Sequence, residues 1–195
     1  MSEESQVLLA LRFAITAHGK QPRKDRATPY IVHPVGVMRI LSTRLRVADP
    51  DVLAAGLLHD TLEDTATSYA DVERHFGRRV ADLVLHVTNP EELWHKSGLF
   101  MERKHEHILG LIHEAPLEAV AIKLADSIDN AHDSVVLGKL GVWSKDKLAL
   151  TQKQMTDRLE TMASRLKVES ASPLVEAMTP VVYDELAYLR ANPLG

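Results

Sequence analysis

The sequence predicts an all-α protein, a compact single-domain helical bundle of about eight to nine helices spanning residues 1–195. Three observations lead there. Apolar residues recur at i, i+3, i+4 or i+7 in nearly every segment. The segments are punctuated by helix caps and breakers rather than by hairpin signals. No alternating β run stands between turn signals, although the apolar stretch Ala119–Ile122 resembles a buried strand. A chain of 195 residues is long enough for one continuous core.

The elements follow in order. Leu8, Leu11 and Ile15 mark the stripe of a first helix ending near Gly19. Pro34 suits a first helical position, with Val35, Met38 and Leu41 as the buried stripe behind it. Asp49-Pro50 is an N-cap and N1 pair for a third helix running to about Glu63. Ser68-Tyr69-Ala70-Asp71 reads as a capping box before a short helix that Gly77 stops. Further helices are expected at about 78–88, 102–114, 117–132, 145–167 and 173–191, the last kinked or restarted at Pro180. Leu148, Met155, Leu159, Met162 and Leu166 have core spacing, as do Val175, Met178, Val182, Leu186 and Leu189. Two stretches read as loose: Gln21–Thr28, and Thr88–Leu99, a candidate loop or lid containing Trp94.

Composition narrows the chemistry. With no cysteine, a disulfide framework, a Cys-ligated zinc or iron–sulfur site and a thiol nucleophile are excluded. No apolar run reaches the ~18–20 residues of a membrane span, and the acidic N-terminus opens no signal peptide, so the expected location is the cytoplasm. The net charge of −4 hides an asymmetry: residues 12–46 carry eight basic side chains and one acid, and the chain beyond is acidic. A basic patch on an acidic protein suggests a small phosphate-bearing ligand rather than duplex nucleic acid. The patterning specifies no oligomeric state.

Any metal work falls to His and carboxylates. His59 and Asp60 end an apolar helix next to Leu57 and Leu58, where unpartnered polar groups are costly. Glu63 and Asp64 follow one turn on, and three carboxylates with an imidazole that close repel one another without a cation. His33 precedes a helix at Pro34, and Asp126 lies inside an apolar helical stretch with Asn130 one turn further along the same face. His33, His59, Asp60 and Asp126 offer two nitrogens and two oxygens, a mixed set that suits Mn²⁺, Fe²⁺ or another catalytic divalent ion better than a closed structural zinc. Tyr30 reads as packing that orients His33; His105, His107 and His113 read as surface residues.

The order His…His-Asp…Asp resembles the HD superfamily of metal-dependent phosphohydrolases. Fuller strings narrow the likeness: Ala17-His18-Gly19, Arg23-Lys24-Asp25, Pro29-Tyr30-Ile31 before His33-Pro34, Leu57-Leu58-His59-Asp60-Thr61 with Glu63-Asp64-Thr65, and Lys123-Leu124-Ala125-Asp126 with Asn130. Over about residues 8–165 these are similar to the hydrolase domain of the RelA/SpoT alarmone enzymes, above all its stand-alone small hydrolases; the segment from about 168 matches nothing comparable. The resemblance implies an HD-domain fold and an Mn²⁺-dependent removal of pyrophosphate from the 3′ position of guanosine tetra- or pentaphosphate, or of an adenine counterpart. It implies one divalent ion held by His33, His59, Asp60 and Asp126. Glu63 and Asp64 would position and deprotonate the attacking water. Arg23 and Lys24 would meet the base and phosphates, and Asn130 the ribose side. The implied partner is a small-molecule nucleotide, with neither nucleic acid nor membrane.

Three residues depart from the family pattern. Ser127 stands where a basic residue is usual, Asp129 where His or Tyr is common, and His132 where Arg is usual. These departures are expected beside the nucleotide pocket. Other HD phosphohydrolases, such as 5′-nucleotidases or nucleoside triphosphate hydrolases, share the metal set without needing Arg23-Lys24. A non-catalytic alarmone-binding module would have lost a ligand or the Glu-Asp pair, and all six residues are present.

Overall fold

The computed structural model describes residues 5–91 and 100–193. Among them there are ten helices and no strand: α1 (Gln6–His18), α2 (Val32–Thr43), α3 (Pro50–Leu58), α4 (Thr61–Asp64), α5 (Tyr69–Phe76), α6 (Arg78–Val87), α7 (Phe100–Glu114), α8 (Leu117–Lys139), α9 (Lys145–Leu166) and α10 (Pro173–Ala191). Caps set several of the starts. The side chains of Ser5, Asp49, Ser68, Ser144 and Ser172 each accept a backbone N–H of the following first turn, and Ser68 with Asp71 completes the capping box. Gly77, at φ 84°, supplies the left-handed turn that ends α5 and redirects the chain into α6. Pro180 is accommodated within one helix, α10.

Buried residues of all ten helices form one hydrophobic cluster. Its axis is α8, where ten consecutive residues from Ala119 to Ile128 are buried. A helix covered on every side loses the one-sided stripe of a surface helix, which is why Ala119–Ile122 imitates a strand. The predicted end of this helix near residue 132 is too early. No breaker stands before Gly138, and the buried Ser134 and Leu137 carry it to Lys139. The helix α2 packs on α3 and α8, α1 packs on α3, and α9 packs on α7, α8 and α10.

Two stripe assignments need correction. In α1 the buried residues are Ala10, Ala14 and His18, whereas Leu8 and Ile15 are about half exposed. In α2 the buried line is Val37, Ile40 and Leu41, with Val35 and Met38 only half covered. The stripes predicted in α9 and α10 are buried throughout.

The third helix does not run to Glu63. It stops at Leu58; Asp60 takes φ −99°, ψ −2°, and a single turn restarts at Thr61. That sparsely populated backbone conformation tightens the chain. The freed carbonyls find local donors, since Thr61 Oγ1 donates to Leu58 O at 2.7 Å and His59 Nδ1 lies 2.9 Å from Gly56 O. In a continuous helix neighbours diverge by about 100°. The break lets His59 and Asp60 face one place.

The basic stretch 21–28 is not loose. Arg23 N donates to Thr28 O and Tyr30 N to Gln21 O. The Asp25 carboxylate accepts from Thr28 Oγ1 and from the N–H groups of Thr28 and Ala27, which holds its pKa down to about 2. The stretch expected as a lid falls largely on residues 92–99, outside the described residues, and Trp94 with it.

Glu185 fastens α10 to the bundle through Arg44, the C-cap of α2, and His132 of α8. Burial opposes its ionisation, but His132, 3.5 Å away, and the hydrogen bond from Arg44 outweigh it and hold the carboxyl below the ordinary 4.5. A carboxyl depressed in the folded state stabilises above its unfolded pKa and loses that contribution as pH falls through the folded value. Glu185→Gln is therefore expected to cost about 1–3 kcal/mol at neutral pH. Urea midpoints of variant and wild type should converge as the pH is taken below 4.5.

Candidate metal and active site

Four donors from three places in the chain converge. His33 sits in the first turn of α2, His59 and Asp60 at the break between α3 and α4, and Asp126 midway along α8. His33 Nε2 is 3.2 Å from Asp126 Oδ1 and 3.5 Å from Asp60 Oδ2. His59 Nε2 is 3.0 Å from Asp60 Oδ2 and 3.9 Å from Asp126 Oδ1. The imidazoles of His33 and His59, both buried, meet edge to face at 5.0 Å. Among the described residues, His33, His59 and Asp60 form a cluster fit to hold a metal ion. His59 Nε2 has no hydrogen-bond partner although it is fully buried. Such an orphan is costly, and a cation between it and the carboxylates removes the cost.

The charges of the cluster lean on one another. Burial works against protonation of His33, yet hydrogen bonds to Asp126 and Asp129 and the charge of Asp60 outweigh it and push the imidazole up to about 9. Burial also works against ionised Asp126, but Lys123, 3.0 Å away, and the two imidazoles hold its carboxyl well below the ordinary range. Asp60 is likewise held low, chiefly by His59 acting against burial. Lys123 lies buried behind the site; desolvation lowers its pKa, but Asp126, Glu63 and Asp60 more than restore it.

Glu63 and Asp64 flank this centre with different partners. Glu63 Oε1 accepts from Asn89 N at 2.7 Å and Asn89 Nδ2 at 2.6 Å, and Lys104 Nζ lies 3.6 Å from Oε2. Asp64 Oδ2 is 2.9 Å from the Tyr30 hydroxyl, which donates to Asp60 Oδ2 at 2.5 Å. Burial and the charge of Asp60 raise the pKa of Asp64. Burial, with Asp60 and Asp64, raises that of Tyr30, which stays protonated. One phenolic proton serves one acceptor at a time. Tyr30 therefore joins the two acids, a role beyond packing on His33.

Lys24 and Asn130 share a hydrogen bond of 2.9 Å, and Asn130 Nδ2 donates to Asp126 Oδ1. Burial of the ammonium and the neighbouring Arg23 lower the pKa of Lys24. Its ammonium stands 5.4 Å from the Trp143 ring, with Lys147 at 4.1 Å. Arg23 is placed differently from its neighbour. It is 7% exposed, bonded to Asp133 and 3.9 Å from Asp129.

Two of the departures from the family pattern have protein partners. Asp129 turns to His33, and His132 lies against Glu185 and the Tyr188 ring. His105 and His107 are not surface residues. Both are half-buried: His105 is 3.2 Å from Asp157, and burial with Lys123 lowers the pKa of His107. His113 is exposed. Lys123 was legible only as part of a string, and Asn89 had no signal beyond a turn-forming Asn-Pro.

The HD domain family matches residues 10–140. The guanosine-3′,5′-bis(diphosphate) 3′-pyrophosphohydrolase MESH1 of Mus musculus is 44% identical over 133 residues, 68% of this chain and 71% of that protein. Its Drosophila melanogaster counterpart is 36% identical over 163 residues, 82% of this chain and 87% of the relative. A solved structure of a metazoan ortholog of SpoT that hydrolyzes ppGpp superposes with a TM-score of 0.77 at 27% identity, covering 100% of this chain and 99% of that one.

Proposed function

The chain belongs to the HD-domain family, and from that premise we propose that it hydrolyses the 3′-pyrophosphate of guanosine tetra- or pentaphosphate, using Mn²⁺. The observation that carries this reading is the convergence of His33 Nε2 and the buried His59 Nε2, which makes no hydrogen bond, on the same two carboxylates. We assign His33, His59, Asp60 and Asp126 to hold the ion, a mixed nitrogen and oxygen set that suits Mn²⁺. When bound, a divalent ion supplies Lewis acidity to a phosphoryl oxygen and makes water easier to deprotonate.

The remaining work falls to the chain's own groups. Asp64 accepts the proton of the attacking water, since a pKa raised by burial and Asp60 moves it toward the working pH. Glu63, fixed by two hydrogen bonds from Asn89, orients that water. Lys24, resting on Asn130 at the edge of the site, takes phosphate charge, and Asn130 lines the ribose side. Arg23, its guanidinium held by Asp133, adds its positive charge beside Lys24 for the base and phosphates. The bond that breaks joins O3′ to its phosphorus, and no covalent intermediate is required. Among the described residues no helix is long and apolar enough to cross a membrane. The substrate is a small nucleotide and the expected location remains the cytoplasm.

The test is product analysis. Mn²⁺-loaded protein given guanosine tetraphosphate is expected to release inorganic pyrophosphate and the 5′-diphosphate with a free 3′ hydroxyl, followed by phosphorus NMR. Ordinary nucleoside triphosphates and 5′-monophosphates are expected to be poor substrates. Orthophosphate released from the 5′ end would move the protein to the nucleotidases and overturn the reading.

A further inference from the structure

The two imidazoles of the centre are aimed by different devices. His59 has its Nδ1 on a backbone carbonyl, Gly56 O, at 2.9 Å. His33 has its Nδ1 on a side chain, Asp129 Oδ2, at 2.7 Å. We propose that Asp129 is the positioning residue for His33: it accepts the Nδ1–H, fixes the ring's tautomer and angle, and so presents the Nε2 lone pair to the metal. This inference rests on the metal reading above and concerns a residue that faces away from the reacting atoms.

Three features of the fold serve that one carboxylate. The first is space. A Cβ on Gly36 would stand inside contact distance of Asp129 Oδ1 and 2.9 Å from its Cγ, and its nearest neighbours would all be atoms of Asp129. Glycine at that point of α2 therefore lets the carboxylate lie between α2 and α8. The second is charge. Arg23 Nη2 lies 3.9 Å from Asp129 Oδ2 and is bonded to Asp133, one turn further along α8. An almost fully buried guanidinium with a fixed fork of donors holds the carboxylate in place against His33. The third is register. Asp126, Asp129 and Asp133 follow at i, i+3 and i+7 on α8, so one helix face supplies the metal-facing carboxylate, the carboxylate behind the imidazole and the anchor for Arg23. A neutral imidazole has one N–H and one lone pair, so a strong acceptor at Nδ1 leaves Nε2 free to ligate and more basic.

The experiment measures Mn²⁺ affinity in metal-stripped protein by chelator competition, with circular dichroism as the check on folding. Asp129→Ala is expected to weaken binding about 10–100-fold, the usual worth of such an outer partner. Asp129→Asn, which keeps an acceptor oxygen but no charge, should lose less. Gly36→Ala should reproduce the loss by displacing the carboxylate. In the Asp129→Ala background the same Gly36→Ala should cost nothing further, because the only crowded atoms are gone. A cavity of about 90 Å³, lined by His33, Arg23, Asp129 and Asp133, adjoins the deleted side chain. Formate is therefore expected to restore much of the affinity of Asp129→Ala, which a purely structural role would not produce. Folded Asp129→Ala and Asp129→Asn binding Mn²⁺ within twofold of wild type would overturn this inference alone. A wild type that takes up no divalent ion would overturn the metal reading together with it.

Discussion

Asp126→Ala is expected to abolish both metal binding and turnover. Asp126 is the only carboxylate of α8 that faces both imidazoles, at 3.2 Å from His33 and 3.9 Å from His59. It also neutralises the buried Lys123 and accepts from Asn130. Removing it takes away a proposed ligand and leaves a buried ammonium beside two buried imidazoles, which repels a cation from the centre. Metal-assisted stabilisation of the transition state is worth several kcal/mol. At 1.36 kcal/mol per tenfold, turnover should fall at least about 10³-fold. The unpaired Lys123 threatens the fold as well, since breaking a buried pair costs about 3–5 kcal/mol. Asp126→Asn is the companion variant: isosteric, able to accept from Lys123, and still a poor ligand for a hard divalent ion. Metal content per chain and initial rate, measured on both variants with circular dichroism, decide the matter. Asp126→Asn that is folded, metal-loaded and as active as wild type would remove Asp126 from the site.

Much of this centre could be read from the sequence, for a physical reason. A His or Asp among residues as apolar as those around 57–60 and 120–128 conflicts with burial unless something compensates, and such conflicts show without a structure. The helices α5, α9 and α10 were legible because capping serines and large apolar side chains point to the same boundaries, and α6 because Gly77 marks its start. The α1 stripe failed because burial there selects small residues. Ala10 and Ala14 are buried where α1 lies on α3, and the larger Leu8 and Ile15 face outward. The break after Leu58 carries neither Gly nor Pro; its compensation lies in side-chain hydrogen bonds of His59 and Thr61, which propensity does not register. The place of Asp129 behind His33, and Asn89 altogether, were not legible for a related reason. A single acid on a helix or amide in a loop looks solvated until a distant element brings His33 or Glu63 against it.

Glu63→Gln combined with Asp64→Asn is expected to leave metal binding intact while slowing turnover at least about 10²-fold, the lower range for positioned acid–base groups. Neither acid contributes to the four-donor centre, so the double variant separates ligation from chemistry. Both replacements keep the shape of the side chain. The amide oxygen introduced by Glu63→Gln can still accept from Asn89, and the one introduced by Asp64→Asn can still meet the Tyr30 hydroxyl, so the local frame at α4 should survive. What disappears is the capacity to take a proton. In the wild type Asp64 is suited to that step because burial and the charge of Asp60 raise its pKa, and the Tyr30 hydroxyl stands between the two acids, 2.9 Å from Asp64 Oδ2 and 2.5 Å from Asp60 Oδ2, with one proton to give. The single variants divide the effect: Asp64→Asn should carry most of the loss in kcat if it is the base, and Glu63→Gln the lesser part if it orients the water. Substrate affinity, measured by equilibrium binding to the slow double variant, should stay near the wild-type KM, because the phosphate contact is proposed for Lys24 and not for these acids. A double variant that turns over at the wild-type rate with metal bound would mean that water needs no protein base here, and Asp64 would then be a hydrogen-bond partner of Tyr30 and nothing more.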